Sequence, residues 1–452
     1  MRDLAAWTSR LDLSAVPGQV QAAARRQLLD GLGCLISAVR RNEASAATQV
    51  AQGLGGPAEA TLVGTTTRVG APAAACGNAV ALHALDFDDT HAAGLVHPTA
   101  VVAPTVLAVA EQTGATGAQL LAAYVAGVET ICRLGAAAPH AFHARGVHAT
   151  SACGTVAAAV TTARLLNLDE ERTTDAIGIA ASGASGLLEF LATGSSTKQL
   201  HPGFAAYNGI LAARLAAAGA TGPVSALDGE RGLYRALAGR VPDRVALLGD
   251  LGRRWETAAI TVKPYPACQL SHAAVTAAMK LRQQVDPGRI TALRLHLHPD
   301  AVPIVGDLAP ATAYAAKFSA AWCAAVALLD GTLPVEAFDR SDRPDAARLA
   351  ARTTVLAWPA DQAQMPAADA PARIEATMDA DPARAPADAT VDDGWIVADA
   401  EHGGGRPGDP GLDDLVRRKA RAALGDRADA VTAAVDGLAT AATVTDLMRS
   451  LA

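Results

Sequence analysis

The stretch Leu85–Thr99 reads LDFDDTHAAGLVHPT and sets Asp86, Asp88, Asp89, Thr90, His91 and His97 in a chain otherwise rich in alanine. Three chemistries suit that set. Hard oxygen and nitrogen ligands at short spacing suit a divalent cation. Acids and imidazoles that share a space suit proton transfer or substrate binding. Asp and Thr ahead of a helix, with Pro98 near its first turn, suit capping. A catalytic metal needs several convergent ligands, and no second acidic motif of that kind follows. The sequence therefore favours the acid–base reading over a metal and over plain capping.

Three further stretches carry polar groups in apolar surroundings. RGVHATSACGT, Arg145–Thr155, puts His148 just before a small-residue helix, whose N-terminus offers unpaired N–H groups to a carboxylate or phosphate. His148 there suits a base or an anion donor, or a loop histidine bonded to the backbone. ATGSSTKQLHPGFAAYNG, Ala192–Gly209, has the composition of a ligand loop. Gly194 permits close backbone approach, Ser195, Ser196 and Thr197 supply donors, and Lys198 supplies charge. It lacks the spacing of a Walker A loop. TVKPYPACQLSH, Thr261–His272, places Lys263 where a strand breaks, with Cys268 and His272 near the next helix start. A lysine among apolar residues loses solvation, which lowers its pKa and suits it to base chemistry.

The elements that must position these groups are mainly helical. From about Val16 to Ala238 alanine-rich segments alternate with Gly, Pro and Asp, and Leu28, Leu32, Leu35 and Ile36 share one face. Beyond Trp255 the texture changes. ITALRLHLHP alternates Leu293, Leu295 and Leu297 against Arg294, His296 and His298, a half-buried strand. TTVLAWP and ARIEATMDA read as further strands, with helices over Ala273–Arg282, Ala313–Leu329 and Ala346–Arg352. The expected fold is mainly α with a smaller α+β domain. Residues 1–256 and 405–452 would build the helical domain from both chain ends, and 257–404 the α+β lid, with Glu401–Gly411 as a linker.

Composition bounds the partners. The chain has 452 residues, half of them apolar, 18% charged, and a net charge of -7. That supports a large core and argues against nucleic acid, which calls for clustered Lys and Arg. The six cysteines form no CxxC pair, so reduced thiols are expected rather than disulfides or structural zinc. Without an apolar signal core or a membrane-length apolar run, the chain is expected to be cytoplasmic, with no membrane partner.

Taken in order, ALDFDDTHAAGLVHPTAVVAPTVLAVAEQTGATGAQLLAAYVAGVET, RGVHATSACGTVAAAVTTARLLNLD, TGSSTKQLHPGFAAYNGILAARLAAAGATGP, VKPYPACQLSH and AKFSAAWCAAVALLDG resemble the MmgE/PrpD family. That family includes 2-methylcitrate dehydratase, cis-aconitate decarboxylase and iminodisuccinate epimerase. The resemblance implies a homodimer and cofactor-free chemistry on a small di- or tricarboxylate through an enolate-like carbanion. By motif position it implies functional roles for Asp86, Thr90, His97, His148, Lys198 and Lys263. Dehydration, decarboxylation and epimerisation share that intermediate. The resemblance implies a dehydratase-like lyase, with decarboxylation as a variant and an epimerase or isomerase of a dicarboxylate such as an imino-diacid as the alternative. A non-catalytic organic-acid binder is the reading from another class. Two departures bear on the choice. FSAAW puts Trp322 where the family often has tyrosine, and FHARGVH puts His143 where many members have tyrosine. A histidine there could serve as the second base that epimerisation needs.

Overall fold

The computed structural model describes residues 1–339, 343–379 and 390–451. Residues 340–342 and 380–389, inside the expected 257–404 unit, and residue 452 lie outside them. The chain divides into two compact units: Met1–Glu189 with Thr197–Val262 and Arg406–Ala452, and Phe190–Ser196 with Lys263–Gly405. The protein is mainly helical with a smaller mixed α/β part, as its patterning requires.

The first unit is a stack of helices whose apolar faces are largely alanine and valine. Its central members are Ala71–His83, Pro98–Thr113, Gly117–Ala136, Ala149–Leu165 and Thr197–Ala217. Local signals set their ends: Pro98 occupies the first turn of its helix and Gly114, at φ 66°, stops it. Thr116 and Gln119 form a capping box at the next start. Small residues let the helices press together. A Cβ on Gly154 would come 2.9 Å from Val101 Cγ2, and one on Gly203 would come 2.7 Å from Val80 Cγ2. The helix Leu412–Leu424 packs on Gly18–Arg40, where Gly33 leaves room for Ala420. Short strands Thr90–His91 and Ile260–Thr261 pair antiparallel, fixing the segment after Asp89 to the end of this unit.

The second unit holds a five-stranded sheet in the order Thr353–Ala357, Ile290–Leu297, Ala372–Met378, Trp395–Ala400, Val391–Asp392. The first pair is parallel and the others antiparallel. Leu293, Leu295 and Leu297 face the core as their alternation requires. His298 departs from that pattern. The strand ends at Leu297, and His298 is buried with Nε2 3.3 Å from the Ala363 carbonyl. The helix expected over Ala313–Leu329 is two helices, Ala313–Ala316 and Ala320–Asp330. Ser319 divides them, because its hydroxyl accepts from the Trp322 N–H and caps the second.

Candidate active site

The acidic motif is a turn at the C-terminal end of the Ala71–His83 helix. Asp86 adopts φ 52°, a left-handed conformation that Asp tolerates better than most residues, and its N–H donates to the His83 carbonyl at 3.0 Å. This reversal brings Asp88 back to His83, with Nδ1 at 2.9 and 3.0 Å from its two oxygens. Asp89 then secures the next helix, accepting from the Thr99 N–H at 3.2 Å and the Thr99 hydroxyl at 2.5 Å. Asp89 is thus part of a cap, while Asp86 and Asp88 face imidazole or ammonium groups. From the helix Leu412–Leu424, Lys419 donates to the Phe87 carbonyl at 3.0 Å, lies 3.8 Å over the Phe87 ring and pairs with Asp30 at 2.7 Å.

Three helix starts supply the remaining groups. His97 is the N-cap of Pro98–Thr113 and His148 the N-cap of Ala149–Leu165. Lys198 and His201 lie in the opening turns of Thr197–Ala217. The His97 N–H donates to Thr150 Oγ1 at 3.1 Å, which locks two of these starts side by side. Lys198 Nζ donates to Asp86 Oδ1 at 3.0 Å, with both side chains buried. Ring centroids of His83 and His97 are 4.9 Å apart, and His148 lies 6.1 Å from each. His143 meets His148 edge-on at 6.1 Å. One ring nitrogen from each of His83, His97 and His148 lies within 4.8 Å of the others. Helix N-termini carry partial positive charge, so these starts together with Lys198 favour a bound anion.

Burial sets the protonation states. It pushes His148 well below its usual value, helped by neighbouring His201 and Lys198, so His148 is neutral at pH 7. His201 falls to about 4, from burial and then the nearby His83 and Lys198. His143 also falls to about 4, from burial and then His140 and Lys198. Asp89 moves the other way, to about 8, because burial opposes its charge and Asp88 and Asp30 repel it. His97 Nδ1 lies 2.8 Å from the Asp89 carbonyl, an acceptor, so Nδ1 carries the hydrogen and Nε2 the lone pair in the neutral ring. The Thr90 hydroxyl is 3.3 Å from the same Nδ1. His148 and His201 face each other Nδ1 to Nδ1 at 3.0 Å, which requires one to donate and the other to accept.

Of the residues singled out from sequence, the first unit gathers Asp86, Thr90, His97, His143, His148 and Lys198. Thr197 begins the Lys198 helix and is exposed. Gly194, Ser196, Lys263, Cys268, His272 and Trp322 belong to the second unit. Gly194, at φ 65°, stands beside Thr312, whose hydroxyl donates to its carbonyl at 3.4 Å, and Ser196 is exposed. Lys263 is fully buried two residues beyond the Ile260–Thr261 strand. The Cys268 N–H donates to the Lys317 carbonyl, and buried His272 sets Nε2 3.0 Å from the Ala267 carbonyl. The Trp322 ring is buried against Phe338 at 5.2 Å.

Sequence reasoning missed His83 and His201. His83 closes an alanine-rich helix and reads as a core residue until the turn brings Asp88 back to it. The signal was a histidine five residues before an aspartate, across a helix end. His91 looked like a site residue but is held structurally. Its Nε2 lies 3.0 Å from Glu256 and its Nδ1 accepts from the Gly94 N–H.

A helical unit that sets histidines and a buried Lys–Asp pair at adjacent helix starts has the makings of an anion-handling enzyme. Residues 2–244 match the MmgE/PrpD N-terminal domain and residues 265–442 the MmgE/PrpD C-terminal domain, so the chain belongs to the MmgE/PrpD family. It is 28% identical over 375 residues to cis-aconitate decarboxylase of Aspergillus terreus, covering 77% of this chain and 76% of that protein. Human cis-aconitate decarboxylase is 31% identical over 301 residues, 64% of this chain and 62% of its own. A cis-aconitate decarboxylase-like protein, oryM, of Aspergillus oryzae is 30% identical over 308 residues, 65% and 64% of the two chains.

Proposed function

We propose that the protein is a lyase acting on a small di- or tricarboxylate through an enolate-like carbanion, without a cofactor. The observation that carries this reading is the buried Asp86–Lys198 pair beside His97 and His148 at adjoining helix starts. Removing a proton or CO₂ next to a carboxyl leaves an electron pair that must spread onto an already anionic group. Fixed cations and N–H donors bind that charge better than water, and one such donor is worth on the order of 10²–10³ in rate. In this reading Lys198, the helix starts and Thr90 hold carboxylates, with Thr197 beside Lys198 at the start of its helix. His97 and neutral His148 move protons, with Asp86 holding the Lys198 ammonium in place.

Decarboxylation is the outcome favoured by the relatives' names. The C–C bond to the departing carboxylate breaks, its electron pair delocalises over the neighbouring unsaturated acid, and a carbon of that system takes a proton from a histidine. Dehydration differs in its leaving group, a β-hydroxyl that departs with a proton. Purified protein incubated with cis-aconitate, citrate and methylcitrate should release CO₂ or change alkene absorbance. Silence across such a panel refutes a lyase. The epimerase alternative, raised by His143, predicts exchange of one α-hydrogen in D₂O without elimination. A pure organic-acid binder predicts unchanged affinity and no turnover to lose in Lys263→Ala.

The same reading includes a homodimer in the cytoplasm. Phe204, Leu211 and Leu215 are exposed along one face of Thr197–Ala217, an apolar stripe suited to a second copy. No helix among the described residues is long and apolar enough to cross a membrane. Sedimentation of the purified chain tests the dimer, and a monomer at micromolar concentration refutes it.

A further inference from the structure

His83, His97 and His148 together have a use that the proposed reaction does not require. Each has its Nδ1 committed to a neighbour: His83 to the Asp88 carboxylate at 2.9 Å, His97 to the Asp89 carbonyl at 2.8 Å, and His148 to His201 at 3.0 Å. For His83 and His97 that neighbour is an acceptor, which fixes the tautomer that leaves Nε2 as a lone pair, the arrangement that metal-ligating histidines adopt. His148 takes the same tautomer when its Nδ1 donates to His201. His83 Nε2 is fully buried and has no hydrogen-bond partner among the described residues. A buried ring nitrogen left in that state costs free energy unless something fills the space before it.

We infer that these three histidines form a tripodal site for a borderline divalent cation of the Zn²⁺ type. One nitrogen from each already lies within 4.8 Å of the other two. Tetrahedral coordination at 2.0–2.1 Å sets ligand nitrogens roughly 3.4 Å apart, so no pair must close by more than roughly 1.4 Å. All three side chains are buried or nearly so, and three imidazoles leave the fourth position for water or a carboxylate oxygen. Imidazole selects Zn²⁺, Co²⁺ or Ni²⁺ over Mg²⁺ and Ca²⁺, which take oxygen ligands. Asp88 supplies the outer carboxylate that orients His83 and strengthens it as a ligand. Lys198, the nearby cation that would oppose a metal, is paired with Asp86.

The site bears on the reaction proposed above, because His97 and His148 cannot hold a metal and exchange protons at once. Zn²⁺ would therefore inhibit. That consequence rests on the proposed reaction, whereas binding does not, and the test uses binding alone.

The full chain, stripped with a chelator and exchanged into metal-free buffer, is titrated with Zn²⁺ by calorimetry and with Co²⁺ by visible absorption. The site predicts one equivalent of either ion, visible Co²⁺ bands of four-coordinate nitrogen–oxygen type, and no response to Mg²⁺. Asp88→Asn should weaken Zn²⁺ binding about 10–100-fold, and His83→Gln at least as much. Circular dichroism checks that each variant is folded. If either fails to fold, the wild-type Co²⁺ spectrum still decides. Sub-stoichiometric binding, a thiolate charge-transfer band pointing to cysteine, or unchanged affinity in a folded His83→Gln protein overturns the site.

Discussion

Replacing Lys198 with methionine tests the electrostatic arrangement most directly. The ammonium sits 3.0 Å from Asp86 Oδ1 with both side chains buried. At an effective dielectric of about 20 that separation corresponds to about 5–6 kcal/mol of attraction. Much of it offsets the cost of taking both charges out of water, and breaking one side of a buried pair costs roughly 3–5 kcal/mol. Lys198→Met should therefore lower unfolding stability by about 3 kcal/mol. Asp86→Asn should do likewise, because it leaves the ammonium without that carboxylate. The double variant should lose at least about 2 kcal/mol less than the two losses summed, since neither charge remains. Histidine titration by NMR adds a second readout. Lys198 helps to depress His143, His148 and His201, so all three should titrate at higher pH in Lys198→Met. Denaturant unfolding of the four proteins at pH 7 completes the cycle. If the single losses simply add, within about 0.5 kcal/mol, and the histidines do not move, the pair is not the charge centre of this site.

Further outcomes follow from the same geometry. Asp89, raised to about 8 in the folded chain from an ordinary 3.8, binds more protons folded than unfolded between those values. Its contribution to stability therefore falls as pH rises from about 4 to 8, and Asp89→Asn should flatten that fall in melting temperatures measured across the window. His143 has the opposite slope. Held at about 4 against an ordinary 6.5, it favours folding above pH 6.5 and loses that contribution as pH drops toward 4. His143→Gln should make stability less acid-sensitive over that range. Gly209→Ala sets a Cβ against Ala158 and 2.6 Å from the Thr155 carbonyl, an overpacking cost of about 1–3 kcal/mol readable in thermal unfolding. Trp322→Ala should cost about 3–5 kcal/mol and Trp322→Phe much less, since the ring packs on Phe338. Equal costs in denaturant melts would refute that packing role.

The helical character of the first unit was legible because alanine-rich segments between Gly, Pro and Asp leave few alternatives. The sheet was legible where Leu alternates with Arg and His, at Ile290–Leu297. It was not legible at Trp395–Ala400, whose burial is nearly continuous and so lacks a period of two. The division at Ser319 was missed because apolar residues continue on both sides and a single serine hydroxyl does the capping. Asp86, His97, His148 and Lys198 stood out in the sequence because each sits in a polar cluster, the last three beside a helix start. His83 did not, because its neighbours in sequence are Leu82 and Ala84 and its chemical partner is reached only through a left-handed turn. The pairing of Lys198 with Asp86 was also invisible: 112 positions separate them, and only packing of Thr197–Ala217 against Ala71–His83 joins them.

Two imidazoles facing each other through Nδ1, as His148 and His201 do, share a single hydrogen between two nearly alike positions. Shifting it from one ring to the other, with the matching change at each far nitrogen, swaps the tautomers and leaves the net charge unchanged. In one arrangement the outer nitrogen of His148 offers an electron pair; in the other it offers a hydrogen. A molecule bound there could surrender a proton and later receive one at the same atom, with His201 as the bank of a two-ring relay.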